Sequence, residues 1–107
     1  MFWRSGIKSA RLIEYERFES DQSLPIFARQ PGFVAVLFVR TEPNSAATLS
    51  FWEDKEAAEA FLHSPAHLDV LKKLEVMGIL QGKQSDEMFE VKGGFLPASQ
   101  QAPAISG

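Results

Sequence analysis

Runs of apolar residues bounded by turn residues predict the strands. Phe2 to Ile7 is a short apolar and aromatic stretch typical of a strand. Phe33 to Val39 has seven apolar residues in succession, rich in β-branched and aromatic types, which predicts a strand buried on both faces. A turn at residues 42–45 connects it to a third strand, Ala47 to Trp52. Because this connection is so short, the second and third strands are expected to be antiparallel neighbours.

The C-terminal part of the chain carries a weaker strand signal. Glu87 to Lys92 alternates between apolar and charged residues, which predicts a fourth strand. After Gly93 and Gly94 the chain is rich in Pro, Ala, Ser and Gln, a composition typical of a flexible tail. We therefore expect one domain at residues 1–94 and a flexible tail at residues 95–107.

Between the first two strands, the spacing of apolar residues is helical. Within Ala10 to Gln30 they recur every three to four positions, and the charged residues between them, Glu19 included, are predicted to face water. Ser9 is expected to cap the start of this helix. Pro25 lacks a backbone donor and is expected to kink or restart it.

Two shorter helices are predicted after the third strand. Asp54 is the expected cap of a helix that runs through Leu62. Ser64 and Pro65 suit the cap and first position of the next helix, and Gly78 suits a left-handed end. The residues predicted on the buried face of this last helix are Leu68, Leu71 and Leu74.

The order strand, helix, strand, strand, helix, strand predicts a ferredoxin-like α+β fold, with the helices on one face of a four-stranded antiparallel sheet. Such a sheet leaves its other face bare. An exposed face alternates polar with apolar residues, whereas Phe33 to Val39 does not alternate. A second copy packed sheet to sheet would cover it, so we expect a homodimer. The alternative is partial cover by the C-terminal tail.

Composition narrows the functional classes. The 107 residues are 45% hydrophobic and 23% charged, as in a single globular domain. The net charge of −3 and the scattered basic residues provide no stripe for a nucleic acid. The absence of cysteine excludes a disulfide framework, a thiol nucleophile and a thiolate metal site. With no long apolar run and no secretory pattern, we expect a cytoplasmic protein that does not enter a membrane.

Several short motifs stand in order along the chain. They are Tyr15-Glu16-Arg17-Phe18, Leu24-Pro25, Gln30-Pro31-Gly32-Phe33, Phe51-Trp52-Glu53-Asp54-Lys55-Glu56-Ala57 and Ser64-Pro65-Ala66-His67. In sequence and spacing they resemble the antibiotic biosynthesis monooxygenase-like domains, and the similarity covers about residues 1–92. The resemblance implies a dimeric ferredoxin-like α+β barrel. That family includes cofactor-independent monooxygenases, haem-degrading enzymes, an isomerase and members of no known activity, so the fold alone does not choose an activity.

The resemblance favours a cofactor-independent monooxygenase acting on a small aromatic substrate of the phenol or quinone type, with no cofactor. Haem degradation is disfavoured, because Leu71 stands at the family's haem-ligand position, Phe61 at its tryptophan position, and no asparagine lies in the first strand. The alternative is a dimer without catalytic activity that binds a small hydrophobic ligand or serves in a stress response. Thr48 supports this alternative, because it replaces the asparagine of the monooxygenase branch.

The candidate site lies between the sheet and the helices. Strand parity puts Thr48, Ser50 and Trp52 on one face, and the resemblance places Trp52 at the border of a substrate pocket. The catalytic candidates are His67 and Trp52. His67 is expected to act as a general base or to form a hydrogen bond with a phenol. Trp52 is expected to be part of the core or of the pocket wall rather than a participant in catalysis. The remaining candidates, for substrate binding, are Phe18, Thr48, Ser50, Phe61, Leu71 and Arg4.

Two of these expectations depend on side-chain direction. Arg4 could pair with an anionic substrate only if it faces the pocket, and an arginine near a strand end is more often solvated. His63 and His67 are four residues apart, a spacing that would put both on one face of an unbroken helix. Pro65 interrupts that helix, so no metal site is expected.

Overall fold

The computed structural model describes residues 1–42 and 44–94. Pro43 of the predicted turn and the predicted tail at residues 95–107 lie outside the described residues, and the domain boundary at residue 94 stays a prediction. The described chain forms a four-stranded antiparallel sheet with helices on one face, which confirms the ferredoxin-like α+β fold. None of the helices in these ranges has the length and apolar character that a membrane span requires.

Ten elements follow one another along the described chain. They are β1 (Phe2–Ile7), a 3-10 turn (Ser9–Arg11), α1 (Leu12–Phe18), a π-turn (Glu19–Ser23), α2 (Leu24–Ala28), β2 (Phe33–Glu42), β3 (Ser45–Trp52), α3 (Lys55–Leu62), α4 (Pro65–Met77) and β4 (Leu80–Glu87). The strand order in the sheet is β2-β3-β1-β4, and every neighbouring pair is antiparallel. The predicted neighbours β2 and β3 are therefore confirmed.

Strand register decides which side chains meet the helices. Phe38 on β2 is opposite Thr48 on β3, and Thr48 is opposite Trp3 on β1, so these residues share the face that carries the helices. Trp52 and Ser50 lie on the same face, because the indole Nε1 of Trp52 donates a hydrogen bond of 2.9 Å to Ser50 Oγ. The predicted parity of β3 is confirmed.

The opposite face of the sheet is open in the single chain. β2 extends beyond the predicted Val39 to Glu42, and Val34 and Val39 are 59% and 37% exposed. Burial of β2 on both faces therefore does not occur within one chain. Phe89 packs edge-on against Phe51 with ring centroids 5.6 Å apart, so residues after β4 cover a part of this face. Cover by a second copy stays a prediction.

The predicted position of the last strand was wrong. β4 is Leu80–Glu87 rather than Glu87 to Lys92, and nearly all of it is exposed. It lies at the edge of the sheet and pairs with β1 alone. Backbone hydrogen bonds to β1 hold this strand in place, and none of its side chains is buried. Its sequence is therefore polar and lacks the alternation that predicts a strand. The alternating residues that follow it are not in a strand.

The first helical region departs from a regular helix at its start, and it restarts near Pro25. Ser9 does not cap it: the chain enters through the 3-10 turn, whose N-cap position is Lys8, and no side chain accepts a hydrogen bond there. Pro25 lies in the first turn of α2. At that position its missing N–H costs little, so the predicted restart at Pro25 agrees with the structure.

The π-turn keeps α1 and α2 facing the sheet together. Tyr15 and Phe27 are both buried, yet twelve α-helical steps of about 100° each would leave them about 120° apart around the axis. A π-turn accommodates one extra residue, which removes about 100° of that difference. The irregular turn therefore aligns two apolar faces that a continuous α-helix would direct apart.

The second helical region follows its predicted caps. Asp54 Oδ1 accepts a hydrogen bond of 2.8 Å from the Ala57 backbone N–H, and Ser64 Oγ accepts one of 3.1 Å from the His67 backbone N–H. Gly78 ends α4 in the left-handed conformation, with φ of 68°. The predicted buried face was partly wrong, because Leu68 is 54% exposed. The side chains that α4 buries are His67, Val70 and Leu74, with Leu71 partly buried.

Candidate functional site

A small cavity lies between the sheet and the helices. Its walls are mostly apolar and belong to both hydrophobic clusters of the core. About 40 Å³ inside it is free, which is enough room for bound water. The polar side chains that line it are Tyr15, Glu19, Ser23, Thr48 and His67. This combination, an apolar pocket with a few convergent polar groups, is typical of a small-molecule site.

Glu19 is the acidic residue of the cavity. It begins the π-turn, it is only 8% exposed, and its Oε2 has no hydrogen-bond partner among the described residues. Burial raises the pKa of Glu19 to about 7, although the neighbouring Tyr15 hydroxyl, which can donate to the carboxylate, opposes the rise. Glu19 therefore changes charge near neutral pH, where an ordinary glutamate is fully ionised.

Tyr15 lies one helical turn before Glu19 and is 3% exposed. Burial raises the pKa of Tyr15 well above its usual value, and the Glu19 carboxylate raises it further. The Thr48 hydroxyl acts in the opposite direction, as expected if it donates to the phenolic oxygen. Tyr15 is therefore a neutral donor that connects the sheet to the Glu19 carboxyl.

His67 reaches the cavity from the first turn of α4. Its ring packs against Phe61 with centroids 4.8 Å apart, and its Nε2 is buried without a hydrogen-bond partner among the described residues. Burial lowers the pKa of His67, and the charge of Asp86 opposes this shift only in part. The imidazole is therefore held in its neutral form, in which each ring nitrogen is either a donor or an acceptor.

The structure brings together half of the residues predicted for the site. His67, Thr48, Phe61 and Leu71 all line the cavity. Phe18 is buried in the hydrophobic cluster beside Trp3 and Ile7 and is not among the lining residues. Ser50, on the helix-facing side of β3, is fully buried and accepts the Trp52 hydrogen bond instead of lining the cavity.

Trp52 lies one layer outside the cavity. Its indole stacks on Phe61, with centroids 5.0 Å apart and an interplanar angle of 29°. Its exposed side borders a separate surface hollow that also includes Phe51 and Phe89. Trp52 thus supports a cavity wall and does not form the wall itself, so a direct contact with a ligand in this cavity would require Phe61 to move.

Arg4 does not face the cavity. It shares the open face of the sheet with Phe2, and its guanidinium carbon lies 5.1 Å from the centroid of the Phe2 ring. The side chain is exposed. Alternation along β1 explains this position, because Trp3 and Ser5 occupy the buried face and leave Arg4 on the other.

Sequence reasoning missed Tyr15 and Glu19 as site residues. Glu19 was expected to face water with the other charged residues of the helix. The signal that could have identified it is its spacing, since Glu19 follows Tyr15 by four residues and Phe18 by one and so continues their buried stripe. An acidic residue on an apolar stripe indicates a buried carboxyl.

The two histidines do not form a pair. His63 is exposed at the end of α3, whereas His67 is buried. Within residues 1–42 and 44–94, no group of three or more histidine or carboxylate side chains is arranged to hold a metal ion.

The antiparallel sheet, its helical layer and the small, mostly apolar cavity between them define a ferredoxin-like α+β domain. A family model described as antibiotic biosynthesis monooxygenase matches residues 14–73. The match covers more than half of the chain, and the chain belongs to this family. A search among curated proteins found no match to the sequence.

Solved structures agree on the fold. A protein of unknown function from Nitrosomonas europaea has a TM-score of 0.75, at 18% identity over 91% of both chains. The monooxygenase from the gene ActVA-Orf6 of Streptomyces coelicolor, in complex with nanaomycin D, has a TM-score of 0.74, at 15% identity over 91% of this chain and 89% of that chain. SnoaB, a cofactor-independent oxygenase from Streptomyces nogalater, has a TM-score of 0.61, at 22% identity over 87% of this chain and 94% of that chain.

Proposed function

We propose that this protein is a cofactor-independent monooxygenase that oxidises a small phenol in the cavity between sheet and helices. The observation that carries the proposal is the pair of buried, unpartnered polar atoms, Glu19 Oε2 and His67 Nε2, in one apolar cavity. A buried polar atom without a partner is costly unless a ligand or water satisfies it. Two similar folds, SnoaB and the ActVA-Orf6 protein, are described as an oxygenase and a monooxygenase, which supports the reaction class.

The proposed reaction needs only dioxygen as a second substrate. A phenol loses its proton, and the electron-rich phenolate ring forms a carbon–oxygen bond with dioxygen. The resulting peroxide loses water and leaves a quinone. One phenol and one O₂ give one quinone and one H₂O, so two hydrogen atoms and one oxygen atom leave as water, and no external reductant is consumed.

The protein would contribute a proton acceptor, a dry environment and a fixed orientation. His67 is the polar group of α4, and its Nε2 could bind an oxygen atom of the substrate. Phe61 and Leu71 would hold the ring, and Trp52 would fix Phe61 from behind. Desolvation by these apolar walls strengthens each hydrogen bond that the ligand makes.

Filling the cavity tests the site. Leu71→Trp puts a large ring on a lining residue, whereas Leu68→Trp makes the same change on the exposed face of the same helix. We expect the wild type and Leu68→Trp to consume oxygen with members of a phenol and hydroquinone panel, and Leu71→Trp to lose this activity. Equal activity in the two variants would show that the reaction does not occur in this cavity.

The second candidate function is that of a dimer without catalytic activity that binds a small ligand. Thr48 favours it, because it stands in place of the amide of the monooxygenase branch and its hydroxyl already interacts with Tyr15. The same panel separates the two functions: binding of phenols without oxygen uptake, at any pH tested, would establish the ligand-binding alternative.

We also propose that the protein is a homodimer that packs through the open face of the sheet. A sheet with one face in water usually alternates apolar and polar residues along each strand. β2 does not alternate, because it carries the apolar Leu37 together with the exposed Val34 and Val39. An obligate interface would bury about 2,000 Å² or more. The cytoplasmic location expected from the sequence stays a prediction.

Sedimentation equilibrium at micromolar concentration tests the assembly. We expect a dimer for the wild type and dissociation for Leu37→Asp, because that change would bury an uncompensated charge. Leu68→Asp, on the exposed face of α4, is the matched control and should remain dimeric. A wild-type monomer at this concentration would contradict the proposal.

A further inference from the structure

We propose that Glu19 is the catalytic base of this cavity and that it receives the hydroxyl of a single-ring phenol that carries a second oxygen substituent. The catalytic part of this inference rests on the proposed function, whereas the binding part does not. Neither the family resemblance nor the sequence motifs assign a role to Glu19.

The position of the carboxyl provides the first argument. A carboxylate accepts hydrogen bonds through both oxygen atoms. Tyr15 can donate to Glu19 from the preceding helical turn, but the Oε2 atom of this cavity-lining residue is buried without a partner in the described part of the chain. The group that would satisfy Oε2 is therefore a donor supplied by the occupant of the cavity. A phenol hydroxyl is such a donor.

His67 is the weaker candidate for the base. Its imidazole is neutral and packs on Phe61, and burial lowers the pKa of His67, which reduces its tendency to take a proton. Burial has the opposite effect on the pKa of Glu19, which it raises to about 7, close to the value that suits a general base at neutral pH. The neutral His67 Nε2 is instead suited to a hydrogen bond with a second oxygen of the ligand.

The size of the cavity limits the ligand. The free space is small, about 40 Å³, so a single small ring is the occupant that displaces the cavity walls least, and a fused ring system would displace them more. The unpartnered atoms of Glu19 and His67 belong to different helical regions, and a ring with two polar substituents could satisfy both. A hydroquinone-like phenol meets both conditions.

Proton balance is simple in this arrangement. The phenol hydroxyl gives its proton to Glu19 Oε2, which yields a phenolate and a neutral carboxylic acid. After the ring has formed its bond to dioxygen, the acid returns the proton to the outer peroxide oxygen. The O–O bond then breaks as the oxygenated ring carbon loses its hydrogen, which completes the water and leaves a C=O bond. Glu19 therefore ends each turnover ionised, as it began.

The ionisable groups that face the cavity are few. Tyr15 contributes from α1, His67 from α4, and the amino group of Met1, which donates to the Ser50 carbonyl oxygen at 2.8 Å, from the start of β1. Burial lowers the pKa of this amino group. The lining residues of α2, β2, β3 and α3 have no ionisable side chain among those described. A binding profile governed by Glu19 can therefore be separated from the others by substitution.

Ligand binding without turnover tests the base directly. Phenol and anisole have similar rings, but only phenol can donate to Glu19. Since phenol binds best to the ionised carboxylate, we expect its affinity for the wild type to rise about tenfold from pH 6 to pH 8, whereas that of anisole should not rise. Glu19→Gln should abolish the rise. Asp21→Asn removes the same charge from an exposed position of the same π-turn and should retain it.

Tyr15→Phe provides a second, independent variant. Because the Tyr15 hydroxyl lowers the pKa of Glu19, its removal should move the midpoint of the phenol-binding profile to higher pH. A profile that persists in Glu19→Gln, that anisole shares, or that Tyr15→Phe leaves in place would overturn the assignment of Glu19. Oxygen uptake is a separate measurement: a profile that depends on Glu19 without uptake would reject the oxygenase and retain Glu19 as the phenol-binding group.

Discussion

The two helical regions that supply the polar atoms of the cavity differ in how they are built and in how burial affects them. The first, α1 with the π-turn and α2, is irregular and presents an acid, Glu19. The second, α3 with α4, is regular, follows its caps and presents a base, His67. Burial raises the pKa of the acid and lowers that of the base.

This difference in direction has one cause, because burial in an apolar site disfavours the charged form of any group. An acid then becomes a better proton acceptor near neutral pH, and a base becomes a worse one. The irregular helical region therefore provides the group that can change its charge near neutral pH, Glu19, while the regular region provides the neutral hydrogen-bonding group His67.

Turnover should show the largest difference between the two walls. We expect Glu19→Gln to lower kcat by a factor on the order of 10² to 10⁴, the usual contribution of a positioned base. His67→Gln should mainly raise KM, because a hydrogen bond to the ligand is made equally in the ground state and the transition state. Steady-state oxygen uptake with a hydroquinone measures both, and the opposite pattern would identify His67 as the base.

The second largest difference between Glu19 and His67 should appear in how the free energy of unfolding depends on pH. The folded state binds the Glu19 proton more tightly than the unfolded state, and this difference adds to the free energy of unfolding. The contribution is fully present below pH 4.5 and is lost as pH rises through about 7. The loss is at most about 3 kcal/mol. His67 acts in the opposite sense: its contribution is present above pH 6.5 and is lost as pH falls through its lowered folded pKa.

Urea unfolding between pH 5 and pH 8 measures this difference. The wild type should lose stability toward pH 8, whereas Glu19→Gln should keep only the slope of His67 and the weaker groups. Asp21→Asn is again the control, and it should follow the wild type. If Glu19→Gln retained the wild-type slope, another group would be responsible for the loss.

The smallest expected difference concerns a serine near a helix start in each region. Ser64→Ala removes an observed cap of α4 and should cost about 1 kcal/mol of unfolding free energy. Ser9→Ala removes a serine that caps nothing and should cost less than about 0.5 kcal/mol. Equal costs, measured by urea unfolding, would mean that the two helical regions do not differ in this respect.

The sequence predicts most of the fold because most of its elements depend on local signals. Asp54, Ser64 and Gly78 mark helix ends through chemistry that needs no tertiary contact, and they appear where expected. The predicted position of the edge strand β4 was wrong because β4 is held by backbone pairing with β1, and its own side chains give no local signal for a strand.

Some residues that line the cavity were expected from the sequence for a related reason. Thr48 and His67 were found from strand parity and a sequence motif, both of which survive in the folded chain. Glu19 was missed because charge was taken as evidence of exposure, although its place on the stripe of Tyr15 and Phe18 indicated burial. Trp52 was placed on the correct face, but only the packing of Phe61 decides that it lies one layer behind the cavity.

In terms of the gene, the extra residue of the π-turn corresponds to a single codon within a helical segment. Deleting a codon after Glu19 would restore an α-helix and rotate α2 by about 100° relative to α1. Ile26 and Phe27 would then turn away from the cavity, while Glu19 would keep its place. Because Phe27 packs on Phe38 and Phe61, such a deletion would cost stability as well as a cavity wall, so one extra residue is what lets this helical region contribute both Glu19 and an aromatic wall.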